Sequence, residues 1–187
     1  PLYNASGKFN NAFTFDGVDD YIDLHQVTNI PSRTNIITIS AWINPITSDN
    51  GKILARWDDS GTKYAWLLSL NSKFEFYMGT SSANSVYKAS PSVIIQNNTW
   101  YHVVAMYAGG TDVRLYLNTV LTQGIDDGWD STTAGNVVTI GAGQNGASRN
   151  GFINGTLDEL AIWNRALTYQ EVYELYSRGA NVRNGTD

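Results

Sequence analysis

Three aspartates crowd one short stretch, Asp16-Gly17-Val18-Asp19-Asp20. Carboxylates held this close repel one another. A hard divalent cation such as calcium, which takes about six to eight oxygen ligands, would relieve that repulsion. Aspartate is also a turn former in its own right, because it bonds its own backbone, so a solvated turn explains the same spacing. A second kind of grouping sets tryptophan beside carboxylates. Trp57 is followed by Asp58 and Asp59, and Trp129 is flanked by Asp127 and Asp130. Sugar rings have apolar C–H faces that stack on indole, while their hydroxyls need carboxylate, amide or guanidinium partners. Asn145 and Arg149, in a late polar stretch, are candidates to join either group. Trp57, Asp58, Asp127, Trp129, Asn145 and Arg149 are therefore the candidate ligand-binding residues. Core packing is the competing account of any tryptophan, and it is the expectation for Trp42, Trp66, Trp100 and Trp163.

Other constellations carry less. Asp158 and Glu159 are adjacent, and a retaining glycosidase needs two carboxylates about 5–5.5 Å apart across the scissile bond. Successive residues of a regular strand point to opposite faces, so this pair would not aim at one site. The chain is read as non-catalytic. His25 and His102 are the only histidines and there is no cysteine; two isolated histidines do not make a zinc site, and there is no thiol nucleophile. A packing role is expected for His102. Gly141-Ala142-Gly143-Gln144-Asn145-Gly146 matches a dinucleotide-binding spacing, but no helical pattern follows it. The net charge of -5 argues against nucleic acid or an anionic membrane as partner. No apolar run approaches the roughly 20 residues that cross a bilayer. No basic and apolar leader opens the sequence, so any signal peptide is expected to have been removed or to lie upstream.

The elements that must position these residues read mostly as strands. Ala12–Phe15 and Tyr21–Leu24 flank the aspartate turn. Ile36–Ile43 alternates, with Ile37, Ile39, Ala41 and Ile43 on one face. Lys52–Trp57 follows. Tyr64–Leu70 and Phe74–Met78 form a hairpin around Asn71-Ser72, with Phe74, Phe76 and Met78 opposite Glu75 and Tyr77. Weak strands are expected near Val86 and Val93–Ile95. Trp100–Tyr107, Asp112–Leu117 and Val120–Gln123 make a meander. Gly124 to Asn136 reads as a long loop, a place where function often resides. Val137–Gly141 and Thr156–Trp163 are strands, with a loop at Gln144–Asn150 between them. A helix starts at Thr168, whose hydroxyl can cap the first turn in a box with Glu171, while Leu167 and Val172 staple it and Gly179 stops it. The whole is expected to be one all-β domain over residues 1–187, with its core over about 12–178.

Several of these stretches resemble a known family in its own order. Phe15-Asp16-Gly17-Val18-Asp19-Asp20-Tyr21-Ile22 is similar to the opening motif of the laminin-G-like domains of the concanavalin A-like lectin/glucanase superfamily. Ile39-Ser40-Ala41-Trp42-Ile43, Thr99-Trp100-Tyr101-His102-Val103-Val104 and Val113-Arg114-Leu115-Tyr116-Leu117-Asn118 resemble the next three. The fourth departs at Thr119, where the family has glycine. Gly155-Thr156-Leu157-Asp158-Glu159 through Asn164-Arg165-Ala166-Leu167-Thr168 resembles the fifth, the most specific. The resemblance implies a jelly-roll sandwich of two curved antiparallel sheets with a short C-terminal helix. It implies an extracellular, secreted or cell-surface domain of a larger protein, binding a glycan or polysaccharide. An adhesion or spacer role beside neighbouring domains is the alternative, and a glycosidase a remote one. It also implies calcium, with Asp16 and Asp158 as side-chain ligands and Asp19 beside them.

Overall fold

The computed structural model describes residues 1–4, 7–27, 29–32, 35–59, 63–79, 85–130 and 137–180. The strands are β1 (Leu2–Asn4), β2 (Ala12–Asp16), β3 (Ile22–Gln26), β4 (Ile37–Pro45), β5 (Gly51–Asp58), β6 (Lys63–Asn71), β7 (Lys73–Gly79) and β8 (Ser85–Ala89). They continue with β9 (Tyr101–Tyr107), β10 (Val113–Leu117), β11 (Val120–Gln123), β12 (Ile125–Asp130), β13 (Val137–Ile140), β14 (Gly143–Asn145), β15 (Ser148–Asn150) and β16 (Asn154–Trp163). Helix α1 (Tyr169–Ala180) closes the described chain. The first sheet runs β1-β2-β16-β4-β9-β10-β11 and the second β12-β8-β7-β6-β5-β13-β3, with the β14–β15 hairpin attached to β5. This is an all-β sandwich. Early and late strands meet in the first sheet, because β16 lies between β2 and β4.

Alternation decides which residues fill the space between the sheets. Ile37, Ile39, Ala41 and Ile43 of β4, with Val113, Leu115 and Leu117 of β10, meet Trp66, Leu68 and Leu70 of β6 and Phe74, Phe76 and Met78 of β7 in one core. The other face of the first sheet needs a cover, and α1 supplies it. Val104, Met106 and Tyr116 pack there with Leu167 and Val172. Trp42 stacks on Tyr176, with ring centroids 5.9 Å apart and planes 14° apart. The capping box forms as the spacing predicts. The Thr168 N–H donates to Glu171 Oε2 at 2.8 Å and the Glu171 N–H to Thr168 Oγ1 at 3.3 Å.

Four sequence expectations change. Val93–Ile95 forms no strand: Val93 and Ile94 are exposed, and Ile95 is held by its N–H bond to the Ser72 carbonyl, at 2.9 Å. The expected loop 124–136 begins as β12, which pairs with β8; residues 131–136 lie outside the described residues. The expected loop at Gln144–Asn150 is the β14–β15 hairpin. Gly179 does not stop α1 but lies inside its last turn, where a Cβ would come within 2.3 Å of the Trp42 ring. Its smallness lets the helix approach the sheet.

Candidate ligand-binding site

The outer face of the second sheet is built from the residues that the core leaves over. On β6 they are Leu67, Ser69 and Asn71, and on β7 Glu75 and Tyr77, each alternating with a core residue. Ala55 and Trp57 of β5 and Val86 of β8 join Leu67 and Tyr77 in a small apolar cluster of their own. Around it lies a groove of about 280 Å³, whose lining includes Lys52, Trp57, Asp59, Ser69, Glu75 and Tyr77. Three amides, Asn50, Asn71 and Asn150, complete its polar side.

Two hydrogen-bonded groups fix this lining. At one end Asp59 accepts from Lys52 Nζ, from Trp57 Nε1 at 2.9 Å and from Asn150 Nδ2 at 2.9 Å, and Lys52 Nζ also donates to Asn150 Oδ1 at 2.8 Å. Burial alone would push the Asp59 carboxyl up. The bonds from Lys52, Asn150 and Trp57 outweigh burial and hold it below the usual range. At the other end Lys88 Nζ meets Glu75 Oε1 at 2.9 Å and lies 5.0 Å from the centre of the Tyr77 ring. The Tyr77 hydroxyl donates to Glu75 Oε2 at 3.2 Å. Burial pushes the Tyr77 hydroxyl up. Burial would lower the Lys88 ammonium, but Tyr77 and Glu75 raise it above its ordinary value. Asp127 stands beyond Lys88, its carboxyl pushed up by burial and by Glu75 and Asp126 against the pull of Lys88.

The candidates named from sequence are placed unevenly. Trp57 lines the groove, but at 2% exposure its ring is floor rather than a free stacking platform, tilted 58° to Tyr77 at 5.7 Å. Asp58 is 4% exposed and accepts the Gly146 N–H at 2.9 Å, which pins the β14–β15 hairpin on β5. It is a brace, and the neighbouring Asp59 faces the groove. Asn145 is exposed at the end of β14, outside the lining. Arg149 turns away to β3: it pairs with Asp23 at 2.6 Å and lies 5.3 Å from the centre of the Tyr21 ring. The side chain of Trp129 lies outside the described residues. Lys52, Ser69, Glu75 and Tyr77 were not named as site residues. The alternation in Phe74–Met78 carried the signal for the last two, because it sets them against three core residues.

The aspartate turn brings together a different set from the expected one. Carboxylate oxygens of Asp16, Asp19 and Asp20 lie within 4.8 Å of one another. Asp16 Oδ1 accepts from Val18 N at 2.8 Å and Asp19 N at 3.4 Å, and Asp20 Oδ2 from Asp16 N at 3.1 Å, with Gly17 at φ 78°. The Val18 bond first, with those from Asp19 and Asp20, holds the Asp16 carboxyl below its ordinary value against some desolvation. Asp158 is not part of this group. Asp16 pairs with Asn154, and four strand residues further on, roughly 13 Å, comes Asp158. Its carboxylate instead accepts from Phe9 N at 2.7 Å and Glu159 N at 2.8 Å. The strand is irregular there: Glu159 has φ 50°, and the register with β4 shifts between Asp158 and Ala161.

A larger cleft, of about 370 Å³, opens at the margin of the sandwich, lined by Tyr3, Phe13, Phe15, Ile22 and Leu157 among others. It is the open edge of the core and offers few polar groups to a hydroxylated ligand. His102 is 1% exposed on the opposite sheet, its Nε2 3.0 Å from Ser40 Oγ and its ring 5.2 Å from that of Trp42, as a packing residue would be.

Comparison with known proteins places this architecture. The binding domain of Paraclostridial Mosquitocidal Protein 1 matches at 19% identity with a TM-score of 0.72, over 96% of this chain and 46% of that one. The chain thus spans about half the length of that domain. Domain 4 of AbnA, a GH43 extracellular arabinanase from Geobacillus stearothermophilus solved with arabinotriose, matches at 22% identity and TM-score 0.65, over 94% and 80% of the two chains. The native heptameric SAP-like pentraxin from Limulus polyphemus matches at 19% identity and TM-score 0.56, over 87% and 80%. At these identities the likeness is one of fold. The laminin G-type family model matches residues 16–173, and the chain belongs to the concanavalin A-like lectin/glucanases superfamily.

Proposed function

We propose that this chain is a non-catalytic carbohydrate-binding domain that holds a glycan in the groove on the outer face of the second sheet. The observation that carries the reading is the Lys52–Asp59–Trp57–Asn150 network facing the Tyr77–Glu75–Lys88 group across Ser69. Hydrophobic residues of the sheet are committed to the core, yet this face keeps an aromatic floor ringed by fixed amide, carboxylate and ammonium groups. Such a floor and rim suit a ligand with apolar C–H faces and many hydroxyls, and preorganisation spares the ordering cost of binding. The arabinanase domain solved with arabinotriose supports a sugar as ligand. In this reading the domain serves a larger secreted protein, and the sugar tethers that protein to its target. A screen of immobilised oligosaccharides tests it: binding competed by the free sugar is expected, and binding to none would favour the adhesion or spacer alternative.

Calcium belongs to the same proposal, with a revised ligand set. The carboxylates of Asp16, Asp19 and Asp20 are oxygen donors close enough to share one hard cation. In this reading the ion braces the β2–β3 turn. The thermal midpoint should then rise on moving from EDTA to excess calcium, and Asp19→Asn should remove most of the rise. Equal midpoints in the two buffers would contradict a structural ion.

A further inference from the structure

The charge balance of the groove narrows the class of sugar, if the groove is the glycan site proposed above. We infer that it takes a short neutral oligosaccharide and rejects acidic sugars such as uronates and sialosides. Recognition of a sugar carboxylate needs an uncompensated cation, most often a forked guanidinium. Among the described residues the lining has one lysine, Lys52, and Asp59 already neutralises it. Lys88, at the edge, is paired with Glu75. Lys73, which precedes Glu75 on the same face, lies outside the lining. Arg149, the nearest arginine in sequence to the lining residue Asn150, is committed to Asp23.

The lining itself therefore sets one lysine, Lys52, against the two carboxylates of Asp59 and Glu75. An anionic sugar would meet net negative charge in a partly desolvated site, where repulsion is screened least. The remaining groups are hydroxyl partners: the amides of Asn50, Asn71 and Asn150 and the hydroxyl of Ser69. A volume of about 280 Å³ lies at the small end of ligand sites and holds one or two sugar rings. A longer chain would continue over Lys88 toward Asp127, on the neighbouring strands.

The test uses the whole chain and an array of neutral oligosaccharides (arabinotriose, cellotriose, mannotriose) beside acidic ones (trigalacturonate, sialyllactose). At least one neutral probe should bind ten-fold or more tighter than every acidic one, with affinity unchanged between low and high salt. Glu75→Gln, which leaves Lys88 without its carboxylate, should raise the acidic-to-neutral affinity ratio at least three-fold in a salt-sensitive way. Ser69→Trp, which fills the groove, separates this inference from the reading it rests on. Acidic probes bound best and lost in Ser69→Trp would overturn the neutral class and leave the site standing. Binding that Ser69→Trp does not weaken would overturn the site, as would binding of no probe, and the inference would fall with it.

Discussion

Burial of the His102 ring between Ser40, Trp42 and Tyr176 lowers its pKa from 6.5 to about 4. Desolvation is the cause, since the charged ring would sit buried beneath α1. The folded value lies below the unfolded one, so the unfolded chain binds the proton first as pH falls. Stability from this residue is complete above about pH 6.5 and is lost between there and pH 4, by about 3 kcal/mol in all. Denaturant titrations at pH 7 and pH 4.5 should show this loss, and His102→Phe should make the two midpoints converge. At this scale the sequence was legible where chemistry and packing agree. His102 read as a packing residue because it falls in a motif, Thr99-Trp100-Tyr101-His102-Val103-Val104, where the family also has histidine. It was illegible where neighbours in the chain swap roles. Asp58 and Asp59 are equivalent as letters, yet the strand's end sends one inward to Gly146 and the other to Trp57. Asp158 is named as a ligand through the family resemblance, which sets its strand near the aspartate turn. In the structure its carboxylate accepts from the Glu159 amide beside it and from the Phe9 amide, 149 positions away.

At the scale of elements, local rules identified most strands, and register identified the strained ones. The β10–β11 hairpin turns at Asn118-Thr119, with φ 48° and 75°. Two positive values define the turn type whose twist matches paired strands, and glycine suits its second position. Threonine there carries a β-branched side chain in the left-handed region, at a cost of about 1–2 kcal/mol, part of which glycine would give back in unfolded-chain entropy. Thr119→Gly should therefore raise the denaturant midpoint by the equivalent of about 0.5–1 kcal/mol without changing the slope. The departure from the family's usual glycine was visible in the sequence, and the positive φ gives it a physical meaning. Strand β12 was not visible. Ile125-Asp126-Asp127-Gly128-Trp129-Asp130 has no alternation, because it is a bulged edge strand whose ladder to β8 breaks between Asp126 and Asp130. The β14–β15 hairpin was missed for a similar reason. Its residues are small and polar, and what holds it on β5 are bonds from distant positions: Asp58 to Gly146, across 88 positions, and Lys52 and Asp59 to Asn150.

For the whole molecule, the two outer faces have different fates, and that difference carries the functional account. The first sheet spends its outer face on α1, through Val104, Met106, Tyr116 and Trp42. The second keeps its outer face for the groove. The sandwich itself was legible from alternation, turn residues and the motif order, since both ends of the sequence had to meet in one sheet. Which face stays open was not legible, because that depends on where α1 lands. The measurement that tests the account most directly is an amide NMR titration of the chain with its best-binding oligosaccharide. Shifts concentrated on Lys52, Trp57, Ser69, Glu75, Tyr77 and Asn150 are the predicted result. Shifts concentrated instead on the Asp16–Asp20 turn or on the apolar cleft around Phe13 and Leu157 would contradict it.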